Sequence, residues 1–253
     1  MTGRYDERMA IASDNSAPDA STTWVARWPL DLVRVLAPLR RGRSDPCHAV
    51  VDGRVVWRTS RMASGTVVAR LEQTGERTVR CEAWGSGAEE FVIGLPELLG
   101  GDDAPEEFDH LDHVLVRKLH LAHPWLRMPR TNRVFEALTS AVLEQRVTVE
   151  EAFSGRRWLL RVHGEAPPAT PAAMPSGMRV VPDAAMWRTI PNWDWYRAGV
   201  DVTRAETLLR CAHVAGRLNE IAAMDRADGV RRLRAVRTAP RIPRARPREH
   251  LGF

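Results

Sequence analysis

The sequence predicts an α+β fold, with an antiparallel sheet domain in its N-terminal part and helices in its C-terminal part. Short extended runs, among them HAVV and RVVWRTS, alternate with turn residues between about residues 48 and 84. From residue 110 to residue 236 the apolar residues recur at helical spacing instead. The polar stretch DDAPEEFD, residues 102–109, separates the two patterns and predicts a linker.

The bulk composition is that of a globular protein with one large domain or two small ones. The chain has 253 residues, of which 44% are hydrophobic and 27% charged. No apolar run reaches the length of a membrane span, and the polar N-terminus lacks the apolar segment of a signal peptide. We therefore expect a cytoplasmic, monomeric protein that does not enter a membrane. Cys47, Cys81 and Cys211 are scattered, which predicts reduced thiols and no thiolate zinc site.

The N-terminal elements follow from local signals. Residues 1–22 are rich in Asp, Ser, Ala and Thr and are predicted to be disordered. In the sheet domain, residues 23–101, LDLVRVLAPL has helical spacing, and Asp52-Gly53 is a strong hairpin signal because such turns need positive φ. A second turn is predicted at Thr74-Gly75, and GAEEFVIGLPELLGG returns to helical spacing.

The helical domain, residues 110–236, is predicted as a series of amphipathic helices. The first ends at Pro124, and the second begins at Thr131 or Asn132, both good N-caps. A later helix carries a capping box of Thr203 and Glu206. The last helix begins at Asp225, and it is predicted to direct three residues inward: Val230, Leu233 and Val236.

The positive charge is concentrated at the C-terminus. The chain has a formal net charge of +5 and a pI near 9.8, values that invite a nucleic-acid interpretation. Residues 237–253 contain five arginines and one glutamate, which gives this segment +4 and leaves +1 for the rest. The preceding body is nearly neutral, and residues 237–253 are predicted to form a disordered basic tail.

Three groups of residues are candidates for a functional site. Gln145 and Arg146 lie where one predicted helix ends and the next begins. They are either a solvent-exposed helix end or a polar pair that inserts between the stacked bases of DNA. Aromatic residues around Pro191 either close a core or stack on bases; they are Trp187, Trp193, Trp195 and Tyr196. The pairs His110/His113 and His120/His123 have a metal-ligand spacing, but without a carboxylate motif we interpret them as surface histidines and expect no metal.

The helical part resembles the DNA-3-methyladenine glycosylases of the helix-hairpin-helix superfamily, and most of all their actinobacterial branch. The resemblance lies in RVFEALTSAVLEQRVTVEEAFSGRRWLLRVHG, in WRTIPNWDWYRAGVDVTRAETLLRCAHVAGRL and in RRLRAV. The segment from WPLDLVRVLAPLRRGRSDP to GLPELLGG is similar to that family's N-terminal sheet domain. Together these segments span residues 24 to 236, and AVLEQRVT is the most specific of them.

The resemblance implies base excision, in which an alkylated base is flipped from double-stranded DNA and its glycosidic bond is hydrolysed without metal or cofactor. It implies that Gln145 and Arg146 are DNA-binding residues that enter the gap left by the flipped base, although the family often has an apolar residue there. A less specific part of the resemblance implies that Trp193, Trp195 and Tyr196 line the pocket for the flipped base.

Two parts that the family requires do not occur in this sequence. One is a Pro-Gly-x-Gly hairpin that holds a DNA phosphate, and the other is an aspartate about twenty residues later that stabilises the cationic sugar. RRLRAV, which leads into that hairpin in the family, is followed here by RTAPRIPRARPREHLGF, and no aspartate follows Asp228. We therefore expect a truncated or frameshifted homologue after Val236, with no catalytic residue; the alternative is a genuine basic tail that adds phosphate contacts.

Two functions follow as hypotheses. The first is a base-excision-repair glycosylase homologue that is inactive because the hairpin and the aspartate are missing. The second is a non-enzymatic nucleic-acid-binding protein that uses the same scaffold and the basic tail. We also expect a marginally stable helical part, because Leu208, Leu209, Leu233 and Val236 would lose packing partners.

Overall fold

The computed structural model describes residues 17–105, 113–169 and 171–238. The chain divides into two compact units, and each is described by itself. The sheet unit runs to Arg130 and also includes Ala166–Val180, while the helical unit comprises Thr131–Glu165 and the residues from Val181 onward. The α+β class is confirmed. The sheet unit continues past residues 102–109, and a second stretch of chain, Ala166–Val180, returns to it.

The sheet unit is built on an antiparallel sheet of five strands in the order β1-β5-β4-β3-β2. The strands β2 to β5 are sequential neighbours, so that each pairs with the next, and β1 pairs with β5 at the far edge. Their bounds are β1 Ala20–Val25, β2 His48–Val51, β3 Val55–Arg61, β4 Thr66–Gln73 and β5 Thr78–Trp84.

Both predicted turns are confirmed. Asp52 and Gly53 have φ values of 50° and 67°, and the backbone N–H of Arg54 donates to the carbonyl of Val51 at 3.3 Å. Glycine tolerates this left-handed region at no steric cost, and aspartate tolerates it better than most residues. The second turn closes where the N–H of Thr74 donates to the carbonyl of Thr78 at 3.0 Å.

Strand β1 corrects the prediction that residues 1–22 are disordered, since it begins at Ala20. Its residues alternate between half-buried and exposed, and Trp24 packs against the main core of the sheet unit. The alternation was missed because small Ser and Thr side chains on an edge strand produce no apolar period, although threonine favours extended backbone. Residues 1–16 lie outside the described part of the chain.

Short helices cover one face of the sheet. They are α1 Leu32–Leu36, which continues as a 3₁₀ turn Ala37–Leu39, α2 Ala88–Ile93 and α3 Leu95–Leu98. The carboxylate of Asp31 caps α1 by accepting from the N–H of Arg34 at 3.0 Å. The fully buried residues between helices and sheet include Leu32, Leu36, Leu71 and Leu95.

The other face of the sheet is covered by the returning segment Ala166–Val180. Its Met178 is buried with Trp57, Val68 and Trp84, and the rings of the two tryptophans are stacked at 5.9 Å. The carbonyl of Arg179 accepts a hydrogen bond from the hydroxyl of Thr59 at 2.5 Å. This stretch is therefore part of the core of the sheet unit, although its Pro-rich composition is typical of a loop.

Helix α4, Val114–Ala122, ends before Pro124 as predicted. It groups with the sheet unit, whereas the sequence placed it in the helical domain. None of its residues is buried, and Val114, Leu115 and Leu121 are more than half exposed.

The helical unit contains the remaining described helices. They are α5 Val134–Leu143, α6 Val149–His163, α7 Ala184–Thr189, α8 Asn192–Arg197, α9 Val202–His213, α10 Ala215–Asn219 and α11 Arg226–Thr238, with a 3₁₀ turn Glu220–Ala223. Helix α9 packs against α5 and α7, and its Leu208, Cys211 and Ala212 are buried in the common core. Helix α11 extends two residues beyond Val236; residues 239–253, most of the predicted tail, lie outside the described part.

Three details of the predicted helices are wrong. Helix α5 follows Arg133 without a side-chain cap, and Asn132 has a φ of 53°. The cap of α9 is Asp201, not the predicted box of Thr203 and Glu206. Val230 is 39% exposed because its neighbour Gly229 takes the inward position of α11, whereas Leu233 and Val236 do pack against the core.

All three cysteines are free and buried, in agreement with the predicted reduced thiols. Burial raises the pKa of the Cys81 thiol to about 12 and that of the Cys211 thiol to about 11. In the described part of the chain no helix is long and apolar enough to span a bilayer.

Candidate functional site

Gln145 and Arg146 lie in the short connection between α5 and α6, and both are exposed. The N–H of Gln145 still donates to the carbonyl of Val142 at 3.3 Å, which ends α5. Arg146 then has a φ of 58°, a left-handed conformation that is uncommon for a residue other than glycine. We call residues 145–147 the junction turn. The structure thus places the predicted pair on a sharp, solvent-facing corner of the helical unit.

A capping box fixes the start of α6 immediately after the junction turn. The hydroxyl of Thr148 accepts from the N–H of Glu151 at 3.3 Å, and the Glu151 carboxylate accepts from the N–H of Thr148 at 2.9 Å. The backbone N–H and the hydroxyl of Thr148 both donate to the Glu151 carboxylate, and they hold its pKa below the ordinary value. The box was readable in the sequence as T-x-x-E but was not singled out.

A buried arginine fixes the other side of the junction turn. The side chain of Arg204 donates to the carbonyl of Leu143 at 2.8 Å and to the carbonyl of Gly199 at 2.8 Å. It also donates to the carboxylate of Asp201 at 2.6 Å, which lowers the pKa of that carboxyl. We call this set the Arg204 clamp. It joins the C-terminal end of α5 to the loop that precedes α9.

The Arg204 clamp was missed at the level of sequence. An arginine on the inner side of an amphipathic helix, three residues after an aspartate, is a weak signal, since such pairs are usually solvated. Arg204 is only 6% exposed, so its guanidinium is committed to structural hydrogen bonds and does not face a ligand. Its effect on the site is the positioning of the junction turn.

The aromatic candidates have two different environments. Trp195 is buried, stacks on Trp187 with 5.8 Å between ring centroids, and donates from its Nε1 to the carbonyl of Ile190 at 3.2 Å. Trp193 and Tyr196, on the same helix α8, are 66% and 85% exposed. Trp195 therefore packs in the core, while the other two rings remain accessible from solvent.

The aspartates of the helical unit have two kinds of role. Asp201 caps α9, and Asp225 caps α11 by accepting from the N–H of Ala227 at 2.6 Å. Asp194 is instead buried, and its carboxylate lies 3.0 Å from Nε2 of His163. This pair connects α6 to α8 inside the helical unit.

Two of the paired histidines, His113 and His123, have structural roles. Nδ1 of His113 accepts from the N–H of Val116 and so caps α4, and the ring of His123 lies edge-on to that of Trp125. His110 is outside the described residues. Among the residues that are described, no group of three or more His, Cys, Asp or Glu side chains could hold a metal ion.

No protein-family model and no curated protein sequence matches the chain. Solved structures do. The 3-methyladenine DNA-glycosylase from Archaeoglobus fulgidus matches with a TM-score of 0.68 at 17% sequence identity, over 85% of this chain and 73% of that chain.

A second glycosylase matches in two states. The 8-oxoguanine glycosylase/lyase from Clostridium acetobutylicum, in complex with double-stranded DNA containing cytosine opposite 8-oxoguanine, gives a TM-score of 0.60 at 12% identity, over 87% of this chain and 74% of that one. Its apo form gives 0.62 at 13% identity, with the same coverage. At such identities the likeness shows the fold: the chain has the fold of the DNA glycosylases.

Proposed function

We propose that this chain is a homologue of the base-excision-repair glycosylases for alkylated purines, and that it binds double-stranded DNA through the junction turn without releasing the base. The observation that carries the proposal is the combination of a glycosylase fold with an exposed polar pair, Gln145 and Arg146, on a rigid corner. Bound DNA in one of the similar structures supports DNA as the partner.

The junction turn is suited to DNA because its geometry is set before DNA arrives. The Arg204 clamp holds the end of α5, and the capping box holds the start of α6, so little ordering entropy remains to be lost on binding. The guanidinium of Arg146 offers several N–H donors for base edges or phosphates, and the Gln145 amide offers both donors and an acceptor.

The proposal that the base is not released rests on the chemistry of the hydrolysis. Hydrolysis breaks the bond between the base nitrogen and C1′ and leaves positive charge on the sugar, which a nearby carboxylate must stabilise. The resemblance assigns that task to an aspartate after a phosphate-holding hairpin, and this sequence contains neither. We therefore propose that the 253-residue chain recognises DNA but does not cut the glycosidic bond.

A single assay tests the catalytic half of the proposal. DNA treated with a methylating agent is incubated with the purified chain, and free 3-methyladenine is measured chromatographically. No release above the rate without protein is expected. Release that copurifies with the protein and scales with its concentration would overturn this half, even if DNA binding were confirmed.

The binding half is tested by fluorescence anisotropy with a short labelled duplex. Gln145→Ala/Arg146→Ala is expected to weaken binding about tenfold, since an arginine contact to a base or phosphate contributes about 1–3 kcal/mol. Arg188→Ala, an exposed arginine of the same unit, is the matched control. Equal affinity of the junction variant and the control would contradict the proposed contact.

The non-enzymatic alternative rests on the basic tail. Residues 237–253 carry +4 of the net charge of +5, enough to attract polyanions without sequence preference. Deletion of 237–253 separates the two proposals. If the tail dominates, its deletion removes most of the affinity and most of the salt dependence, while the junction variant changes little.

The accessible rings Trp193 and Tyr196 are further proposed to contact the extruded base, because an exposed aromatic face can stack on any base. Trp195, predicted with them, is excluded from direct stacking by its burial in the core.

A further inference from the structure

The helical unit contains an open cleft beside the junction turn. It has a volume of about 490 Å³, within the range typical of ligand sites. The cleft lies along one side of α6 and faces the end of α8, and its lining includes Val147, Gly155, Trp158, Arg161, Arg197 and Gly199.

A close approach of two backbones forms the floor of the cleft. A Cβ atom added to Gly155 would lie 2.3 Å from the carbonyl oxygen of Ala198, so only glycine allows α6 to lie this close to the end of α8. This contact fixes the spacing between Arg161 on α6 and Arg197 on α8. The two arginines therefore line the cleft from two helices whose spacing is fixed.

The cleft has a positive electrostatic character. Arg157, Arg161 and Arg197 line it, and Glu151 is the only carboxylate among its lining residues. The oxygens of Glu151 already accept hydrogen bonds from Thr148, and Arg157 donates to Ser154 at 2.8 Å. Arg161 and Arg197 are exposed and form no hydrogen bond or ion pair with the described part of the chain.

We propose that this cleft binds a phosphate of the DNA backbone, with Arg161 and Arg197 as donors, next to the DNA that contacts the junction turn. The proposal rests on the proposed function, since Val147 belongs both to the junction turn and to the cleft wall. Two guanidinium groups with free donors match the charge and the acceptor oxygens of a phosphodiester. The half-buried ring of Trp158 supplies an apolar wall for the sugar or base of the same nucleotide.

The test compares two double variants that remove the same charge. Arg161→Gln/Arg197→Gln alters the cleft, and Arg188→Gln/Arg217→Gln alters exposed arginines of the same unit elsewhere. Binding of a labelled duplex and of the corresponding single strand is measured by anisotropy across a salt series, after thermal melts have shown that both variants are folded. The cleft variant is expected to bind about tenfold more weakly than the control, with a salt slope shallower by about one.

The outcomes separate the two proposals. A selective loss on the duplex assigns the cleft to paired DNA, and a selective loss on the single strand assigns it to an unpaired nucleotide; both support the site. Arg161→Lys/Arg197→Lys should keep the salt slope while losing part of the affinity, because lysine retains the charge but not the planar fork. If the cleft variant matches the control while the unsubstituted chain still binds DNA, the cleft site is refuted and the proposed function stands. If the unsubstituted chain binds no DNA, the proposed function itself is refuted.

Discussion

Both units bury polar groups as well as apolar ones, but the sheet unit and the helical unit differ in how their apolar cores are arranged. The sheet unit buries apolar side chains on both faces of its sheet, with Trp57 and Trp84 on one side and aliphatic residues on the other. The helical unit has one apolar core, and the buried side chain of Arg204 positions its exposed corner.

Substitutions in the two units should therefore change different properties: the free energy of unfolding in the sheet unit, and the position of the junction turn in the helical unit. Packing energy in the sheet unit is spread over many contacts that have no direction. In the helical unit a few directional hydrogen bonds determine where the junction turn lies. A single substitution among these hydrogen-bonded residues can therefore displace the junction turn while the helical unit stays folded. Four experiments test this comparison of the two units, from the largest expected effect to the smallest.

The largest effect is expected from Trp57→Ala in the sheet unit. Trp57 is 1% exposed, and truncating a buried tryptophan costs about 3–5 kcal/mol of unfolding free energy. Amide hydrogen exchange should show the loss of protection in β3, β4 and β5 first. Trp193→Ala, which truncates a 66% exposed ring, is the control and should change stability by less than about 0.5 kcal/mol. Similar losses in the two variants would contradict this account.

Arg204→Met is expected to have the next largest effect. It keeps most of the side-chain volume but leaves the carbonyls of Leu143 and Gly199 without their donors, at a cost of about 2–4 kcal/mol. Exchange protection should fall at the end of α5 and the start of α9, and affinity for DNA should fall with it. Arg188→Met is the control; an unchanged junction turn in the Arg204 variant would refute the clamp.

Gly155→Ala is expected to cost about 1–3 kcal/mol through overpacking, because the added methyl meets a backbone carbonyl that cannot rotate away. Gly216→Ala, where nothing lies within 4 Å of the added Cβ, is the matched helical control and should be neutral or slightly stabilising. Urea unfolding measures the free energy of unfolding of both variants. If Gly155→Ala is as stable as the unsubstituted chain, the close contact between Gly155 and the carbonyl of Ala198 is refuted.

The smallest effect is expected from acid. The pKa values of Glu151 and Asp201 are lowered in the folded chain from ordinary values of 4.5 and 3.8. Their contribution to stability is therefore complete above those ordinary values and is lost as the pH falls below them toward the lowered pKa values. Exchange protection near the junction turn should decrease in that window, and Asp201→Asn should reduce the decrease. An unaltered pH profile in that variant would contradict the role of the clamp.

The sequence predicted the elements that depend on neighbours in the chain. The turn at Asp52-Gly53, the helices α5, α6 and α9 and the position of Gln145 and Arg146 between two helices all follow from local chemistry and periodicity. The left-handed conformation of Arg146 could not be predicted, because arginine has no preference for it.

The features that were missed depend on distant residues. Arg204 and Leu143 are 61 positions apart, and Thr59 and Arg179 are 120 apart, so neither hydrogen bond leaves a local pattern. The Pro-rich segment Ala166–Val180 has the composition of a loop, and only its packing on Trp57 and Trp84 makes it part of a core. Strand β1 was not predicted because it lies at the edge of the sheet and its short Ser and Thr side chains produce no apolar alternation.

The three buried thiols make selective labelling of this protein straightforward. A thiol reacts as its thiolate, and the raised pKa values of Cys81 and Cys211 keep them protonated at neutral pH. A cysteine introduced by Gln145→Cys would be exposed and would react with a maleimide dye far faster than the native cysteines. The Gln145→Cys variant could thus carry one fluorophore at the corner that is proposed to meet DNA, without prior removal of any native cysteine.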